Sequence, residues 1–556
     1  MNLLYGILIL AAAAAASWPL GRYLAWSLQP VGPNRLDRLI GRALGRGALI
    51  EGDWKRYALA LLGVNALFFG VSFIFLIFQG NLPLNPDGKA GLPLDLAFHT
   101  AVSFTTNTNL QHYSGEQALS YFSQLFSLTW LQFVSAATGI AALAAVARLL
   151  VGQPAGAFLR DAFRVTVLVL LPASVLVATI LLFSGMPMTF EGAAVAQALE
   201  GGVQTIARGP VAAMVAIKQL GTNGGGYFGP NSTHPFENPT FFTGVVELFA
   251  IIVIPMACVW MFGRMVNRVR HAGVIFGVMA LLVVGIGGVA VAMEAEPNPA
   301  LAGLSVDQSL GNLEGKELRF GPANGPWWAV VTTETSNGSV SAMHDSLNPL
   351  TGLMPLIGMW LNVGFGGVGV GLINMLLYIF VAVFIAGLMV GRTPEYFGRK
   401  VEVREMKGVA LALLLHPLLI LGGTAWFAST SLGTATVSNP GSHGFSQILY
   451  EFSSAAANNG SGFEGLGDNT VAWNLATGLV MLLGRYIPIV VPLAIAGSLG
   501  VKRVAPETAG TLRTDTLLFG LLLLGCVVLL GALLFLPAAV LGPIAESLGA
   551  DSLGGA

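Results

Sequence analysis

The sequence predicts an all-α polytopic membrane protein of about ten transmembrane helices. Its plan is four pseudo-fourfold helix–pore loop–helix repeats with one leading and one closing helix. Three observations predict it. First, 54% of the 556 residues are hydrophobic and only 10% are charged, with a mean hydropathy of +0.73, which leaves no stretch polar enough for a long soluble domain. Second, four short polar segments recur: Thr106-Asn107-Thr108-Asn109, Thr222-Asn223-Gly224-Gly225-Gly226, Ser336-Asn337-Gly338-Ser339 and Asn458-Asn459-Gly460-Ser461, starting 116, 114 and 122 residues apart. A near-constant period implies copies of one unit. Third, each segment lies between two apolar runs of membrane length.

Those runs fall near residues 3–28, 57–79, 120–147, 164–186, 241–263, 272–293, 350–390, 408–430, 471–499 and 515–542, each about 20 residues or more, the length that crosses a bilayer. The first, 1–28, is the leading helix. It has no basic residue before Arg22, so it is expected to be a retained span with its N-terminus outside rather than a secretory signal. Repeat 1 occupies 57–147 and repeat 2 occupies 164–263. Repeat 3 occupies 272–390, with an acidic, Pro/Gly-rich outer loop at 294–324 and a seventh run broken by glycine, expected as two half-helices. Repeat 4 occupies 408–499, and 515–542 is the closing helix.

The basic residues orient this plan. With the N-terminus outside, the inner loops hold twenty Lys and Arg and the outer segments hold five: Lys89, Arg208, Lys218, Lys316 and Arg319. That is the positive-inside bias. All four polar segments then enter from outside, and both termini face out. Cys258 and Cys526 lie in apolar runs and imply no disulfide framework. The seven histidines show no pair at metal-ligand spacing and are expected to be structural or solvated.

Irregular backbone at membrane depth is tolerated only where it is buried in protein or lines an ion- or water-filled cavity. Glycine lets carbonyls turn inward because it reaches positive φ without a side-chain clash. Four converging loops can replace a cation's hydration shell with backbone oxygens. The segments contain no Asp, Glu, Lys or Arg, which suits a large monovalent cation such as K⁺ better than Mg²⁺ or Ca²⁺. Candidate ion-binding residues are therefore Thr106, Asn107, Thr108, Asn109, Thr222, Asn223, Gly224, Gly225, Ser336, Asn337, Gly338, Asn458, Asn459 and Gly460. Because the loops differ, the pore is expected to hold few well-formed sites and to capture tightly.

Two further features stand out. The run 362–371 carries Gly364, Gly366, Gly367 and Gly369; it is either a flexible break that acts as a gate below the filter or a close helix contact. Arg485 sits mid-span, where a charge marks a pathway or a buried pair; it either repels cations or anchors carbonyl ends of a broken helix. No G-x-x-x-x-G-K-[ST] phosphate loop or Asp-Lys-Thr-Gly phosphorylation motif is present, so any energy for transport is expected to come from elsewhere.

Several strings then carry a resemblance. The stretches 101–111, 221–228, 342–346 (Ala-Met-His-Asp-Ser), 391–396 (Gly-Arg-Thr-Pro-Glu-Tyr), 458–461 and 484–489 closely resemble those of KdpA, the potassium-binding subunit family of the bacterial Kdp potassium-transporting ATPase. The resemblance covers essentially the whole chain. It implies a bacterial inner-membrane subunit that selects K⁺ from outside and passes it through an intersubunit tunnel to a P-type ATPase partner, KdpB. Small single-span subunits, KdpC and KdpF, accompany it. ATP and Mg²⁺ would be handled only by the partner.

By the same resemblance the four segments form the selectivity filter, with Gln111 beside it helping to set selectivity. The broken seventh span would control the exit, and Arg392 would brace the pore. Two positions depart from the family: Asn362 stands where many members carry Glu, and Ser336-Asn337-Gly338 replaces a cysteine-containing string. The competing expectations are an autonomous, channel-like K⁺ or Na⁺ transporter of the Trk/Ktr/HKT type and a secondary transporter of a small organic solute. Inverted repeats and paired discontinuous helices would mark the latter.

Overall fold

A computed structural model describes residues 2–29, 35–43, 45–301, 304–389, 391–506 and 512–549. Val390, the last residue of the third expected repeat, and Ala302 and Gly303 of the outer loop lie outside them. Among the described residues ten helices are long and apolar enough to cross a membrane: Leu4–Leu28, Trp54–Asn81, Ser123–Leu150, Phe158–Phe183, Phe241–Met265, Val269–Glu294, Val370–Met389, Val403–Ala428, Val471–Gly500 and Leu517–Ser547. Four shorter pore helices, Leu94–Thr105, Val211–Leu220, Asn324–Glu334 and Gly441–Ala457, precede the four polar segments. The protein is therefore all-α and polytopic. Its sheet content is a hairpin pairing Ala194–Gln197 with Val203–Ile206 and a two-residue ladder at Glu395–Tyr396 and Arg399–Lys400.

The seventh run is two helices, Pro349–Leu361 and Val370–Met389, as its glycines led us to expect. Asn362 ends the first half in the left-handed region, at φ 50°. Phe365, Gly366 and Gly369 are also at positive φ, so the chain cannot continue as a helix there.

Burial separates the spans into two rings. The span after each pore helix is the more buried: 89% of the third and 78% of the fifth, against 22% of the second and 28% of the fourth. A helix that is apolar all round must face either protein or lipid. Here the following spans enclose the pore and the preceding ones present their leucines outward, Leu59, Leu67, Leu411 and Leu418 among them. Hydroxyl caps start the spans where the chain leaves polar surroundings: Thr470 accepts from Trp473 N–H, and Thr516 from Phe519 N–H.

The leading helix packs along the fifth span, where Gly21 lies against Ala257 and Trp260. Gly6 and Gly287 make room for the fully buried Trp327 of the third pore helix. The closing helix packs on the half-helix Pro349–Leu361, with Phe535 stacked on Trp360 at 5.0 Å.

Candidate ion-binding site

All four segments converge, and their backbones repeat more closely than their sequences. Each has two residues at positive φ separated by one other: Asn107 and Asn109, Thr222 and Gly224, Ser336 and Gly338, Asn458 and Gly460. The structural register therefore places Asn107, rather than Thr106, opposite Thr222, a one-residue correction to the alignment drawn from the sequence. Asn109 stands where the other three have glycine; asparagine is among the few non-glycine residues that tolerate this conformation. That explains the glycine-free first segment.

Each segment hangs from its pore helix by one repeated bond. The amides of Thr108, Asn223, Asn337 and Asn459 donate to the carbonyls of Ser103, Lys218, Thr332 and Ser454, each five residues back, at 2.8–2.9 Å. At the next position Gly338 and Gly460 donate to the Thr332 and Ser454 hydroxyls, both at 2.9 Å. These hydroxyl residues were missed in the sequence reading. The signal that would have found them is a small hydroxyl residue five positions before each filter residue, interrupted only by Lys218.

Lys218 counted as an outer-loop charge in the sequence. It is in fact fully buried on the second pore helix, paired with Glu237 and donating to Asn231 Oδ1 at 2.6 Å and Ser232 Oγ at 2.8 Å. Lys316 is likewise buried, against Glu294 at 2.5 Å.

The segments join into a closed ring. Asn107 Nδ2 donates to Thr222 O at 2.7 Å, and Asn223 Nδ2 donates to Asn107 Oδ1 at 2.7 Å. Asn337 Nδ2 donates to Lys218 O at 3.0 Å and Asn459 Nδ2 to Thr332 O at 2.9 Å. Asn458 Nδ2 returns to Thr108 Oγ1 at 2.9 Å. A side chain at Gly224, Gly338 or Gly460 would collide with the backbone carbonyl of Asn337, Asn459 or Thr108 in the next segment. These buried hydrogen bonds tie the four segments to one another, while Asn223 Oδ1 and Asn109 Nδ2 are left without a partner. Thr106 sits one step below the ring, its hydroxyl bonded to Val102 O and Thr108 Oγ1. Gly225 packs against Phe104 and Asn109. Gln111 makes a two-point bond to Gly226, accepting from its amide at 2.8 Å and donating to its carbonyl at 3.1 Å.

The glycine-rich segment passes directly beneath this ring. Val368 N–H donates to Thr222 Oγ1 at 3.0 Å, Gly366 N–H donates to Glu334 O at 2.7 Å, and Ser336 Oγ donates to Asn362 Oδ1 at 2.9 Å. Gly367 lies by Ser336 and Thr222, and Gly369 against the carbonyl of Gly139. Gly364 leaves room for the Glu334 side chain. Arg485, buried in the ninth span, donates from Nη2 to Ser135 O at 3.2 Å and flanks Gly139 and Gly367. It touches backbone of the third span and of the glycine segment together.

Arg392 is not brought to this site. It is exposed, in a turn beyond the far end of Val370–Met389, a helix about 30 Å long at 1.5 Å per residue.

Two histidines that looked scattered in sequence stack at 3.8 Å beside the first segment, His99 on His112. His112, Glu451 and Asp468 bring ligand atoms close enough for a metal ion, yet both His112 ring nitrogens face acceptors: Asn474 Oδ1 at 2.7 Å and Glu451 Oε1 at 3.0 Å. Asn474 Nδ2 donates to Asp95 at 2.8 Å, which fixes that amide's orientation. Burial lowers the His112 pKa, but Asp468 and Glu451 outweigh it and hold it at about 9. Through these two bonds the ring ties the first repeat to the fourth.

Comparison with known proteins places the whole chain. Residues 7–548 match the family model described as KdpA, Potassium-transporting ATPase A subunit. The chain is similar to proteins named potassium-transporting ATPase potassium-binding subunit. The one from Flavobacterium psychrophilum is 48% identical over 566 residues, 98% of each chain. The one from Geobacillus kaustophilus is 49% identical over 539 residues, 95% of this chain and 96% of the relative. With the family model matched over residues 7–548 and relatives nearly half identical over 96–98% of their length, this chain belongs to the KdpA family of potassium-transporting ATPase A subunits.

Proposed function

We propose that this chain selects K⁺ at the ring of four segments and passes it to a P-type ATPase partner for ATP-driven uptake. The observation that carries the reading is the closed ring itself: four backbone segments of one conformation, bound to one another by asparagine side chains and free of charged residues. Such a ring offers carbonyl and hydroxyl oxygens in a fixed geometry, and a monovalent cation exchanges its water for them with little rearrangement. The names of the relatives support K⁺ as the bound ion.

On this reading Thr106–Asn109, Thr222–Gly225, Ser336–Gly338 and Asn458–Gly460 bind the ion. Gln111 sets the position of the second segment's carbonyls. The segment holding Gly364, Gly366, Gly367 and Gly369 is the gate, held closed by Val368–Thr222 and Gly366–Glu334 and braced by Arg485. The positive-inside count puts the ring's entrance outside and both termini outside the bacterial inner membrane. Hydrolysis of ATP with Mg²⁺ belongs to the KdpB-like partner, with KdpC-like and KdpF-like subunits completing the complex.

The test is purification through a tag on this chain from its native membrane. A co-purifying P-type ATPase whose hydrolysis rises with K⁺ supports the proposal. A chain that purifies alone and conducts K⁺ in liposomes without ATP overturns it in favour of the autonomous transporter.

A further inference from the structure

Beneath the filter the third pore helix ends on a glutamate that nothing described above requires. Glu334 is fully buried, and no side chain bonds either carboxylate oxygen; the one group that reaches it is the backbone of Gly364. Among the described residues no Lys, Arg or His pairs with it. Its Oε2 occupies the space that a side chain on Gly364 would fill, so only glycine at 364 lets the carboxylate lie there. Its own carbonyl accepts the Gly366 N–H at 2.7 Å. One residue thus holds the glycine segment by its backbone and is covered by the same segment at its side chain. Two residues on, Ser336 opens the third filter segment.

A buried carboxylate without a charged partner is costly while ionised, by several kcal/mol, and is kept there with a proton or a cation upon it. The hydrogen bonds that close the ring are made by asparagine amides, hydroxyls and backbone groups, so none of them requires a carboxylate here. Withdrawal of the glycine segment would break the Gly366–Glu334 bond and uncover the carboxylate in the same movement, at the inner end of the filter.

We propose that Glu334 is a cation site of the exit path, which receives K⁺ as it leaves the filter once the glycine segment withdraws. The inference rests on the reading of the four segments as a K⁺ filter. It assigns Glu334 to throughput and leaves selection to the ring above.

The test uses the whole ATPase complex carrying E334Q, which keeps the shape and removes the charge, alongside E334A and E334D. The expected result for E334Q is half-saturating K⁺ and K⁺/Na⁺ preference within about twofold of the parent, with maximal K⁺-stimulated hydrolysis and uptake lowered at least about fivefold. E334A should behave as E334Q, and E334D should recover part of the rate. Parental turnover in E334Q overturns the proposal, including the case in which only E334A is impaired, since that is a packing role. Altered ion preference in E334Q also overturns it.

Should E334Q fail to assemble, the parent complex provides a second measurement. During turnover at sub-saturating K⁺ a hydrophobic carbodiimide should label Glu334, and further K⁺ but not added Na⁺ should suppress the labelling, as read by peptide mass spectrometry. Labelling indifferent to K⁺ overturns the site. If the filter reading itself were wrong, substitutions in the ring would leave K⁺ preference unchanged whatever Glu334 did, so the two failures are distinguishable.

Discussion

Gly338→Ala isolates what the glycine of one filter segment does. Gly338 is at φ 93°, and its missing Cβ would strike the carbonyl of Asn459 in the fourth segment. An alanine there incurs about 1–2 kcal/mol for the left-handed backbone. It incurs a further ~1–3 kcal/mol for overpacking, because the neighbour is backbone that cannot rotate away. Gly185, after the fourth span, provides the control: its φ is 102° and nothing lies within 4 Å of its Cβ position. Gly185→Ala therefore carries the strain without the overlap.

In the purified complex, K⁺-stimulated hydrolysis is titrated with K⁺ for both variants. Gly185→Ala should keep half-saturating K⁺ within about twofold. Gly338→Ala should raise it at least tenfold, about 1.4 kcal/mol of binding free energy, because the Asn459 carbonyl is pushed out of the ring. Equal half-saturation in the two variants would refute the packing argument.

Three further outcomes are expected. Gly225→Asp places a side chain and a charge against Phe104 and Asn109 and should weaken K⁺ discrimination over Na⁺; unchanged affinity and preference would count against the second segment as a filter element. Gln111→Ala leaves the Gly226 amide and carbonyl without their partners, a loss of ~1–3 kcal/mol, and should raise half-saturating K⁺ several-fold in the same titration. His443 lies between Asp345 at 3.1 Å and Glu546 at 2.8 Å, linking the fourth pore helix to the closing helix. Burial lowers its pKa, but the two carboxylates raise it from 6.5 to about 10. Its contribution to stability is therefore full below pH 6.5 and lost as pH rises through 10. The melting temperature of the parent should fall across that window by more than that of His443→Gln.

The span count, the four segments and the break in the seventh run were legible in sequence because each rests on a local rule. Bilayer thickness demands long apolar runs, and positive φ favours glycine or asparagine, although Thr222 and Ser336 adopt it in two of the segments. What was not legible depends on contacts between segments hundreds of residues apart. Lys218 in sequence is one more outer charge, and only the folded chain supplies Glu237, Asn231 and Ser232 around it. The register of the first segment was off by one because Thr106 and Thr222 match as residue types, whereas conformation pairs Asn107 with Thr222. Arg392 was placed at the pore by the family resemblance alone, and in the folded chain it lies beyond the far end of Val370–Met389. The pairing of Asn337 with Lys218 O and of Asn459 with Thr332 O leaves no trace on the acceptor side of the sequence, because the acceptor is backbone.

The central claim is that the four segments form one site for a K⁺-like ion, and the direct measurement is to locate the ion. The complex would be crystallised with Rb⁺ in place of K⁺, and anomalous scattering recorded at the rubidium edge. The expected result is density on the axis enclosed by the 107–109, 222–224, 336–338 and 458–460 backbones, reduced in Gly338→Ala. Rubidium bound elsewhere in the chain, with that axis empty, would contradict the account.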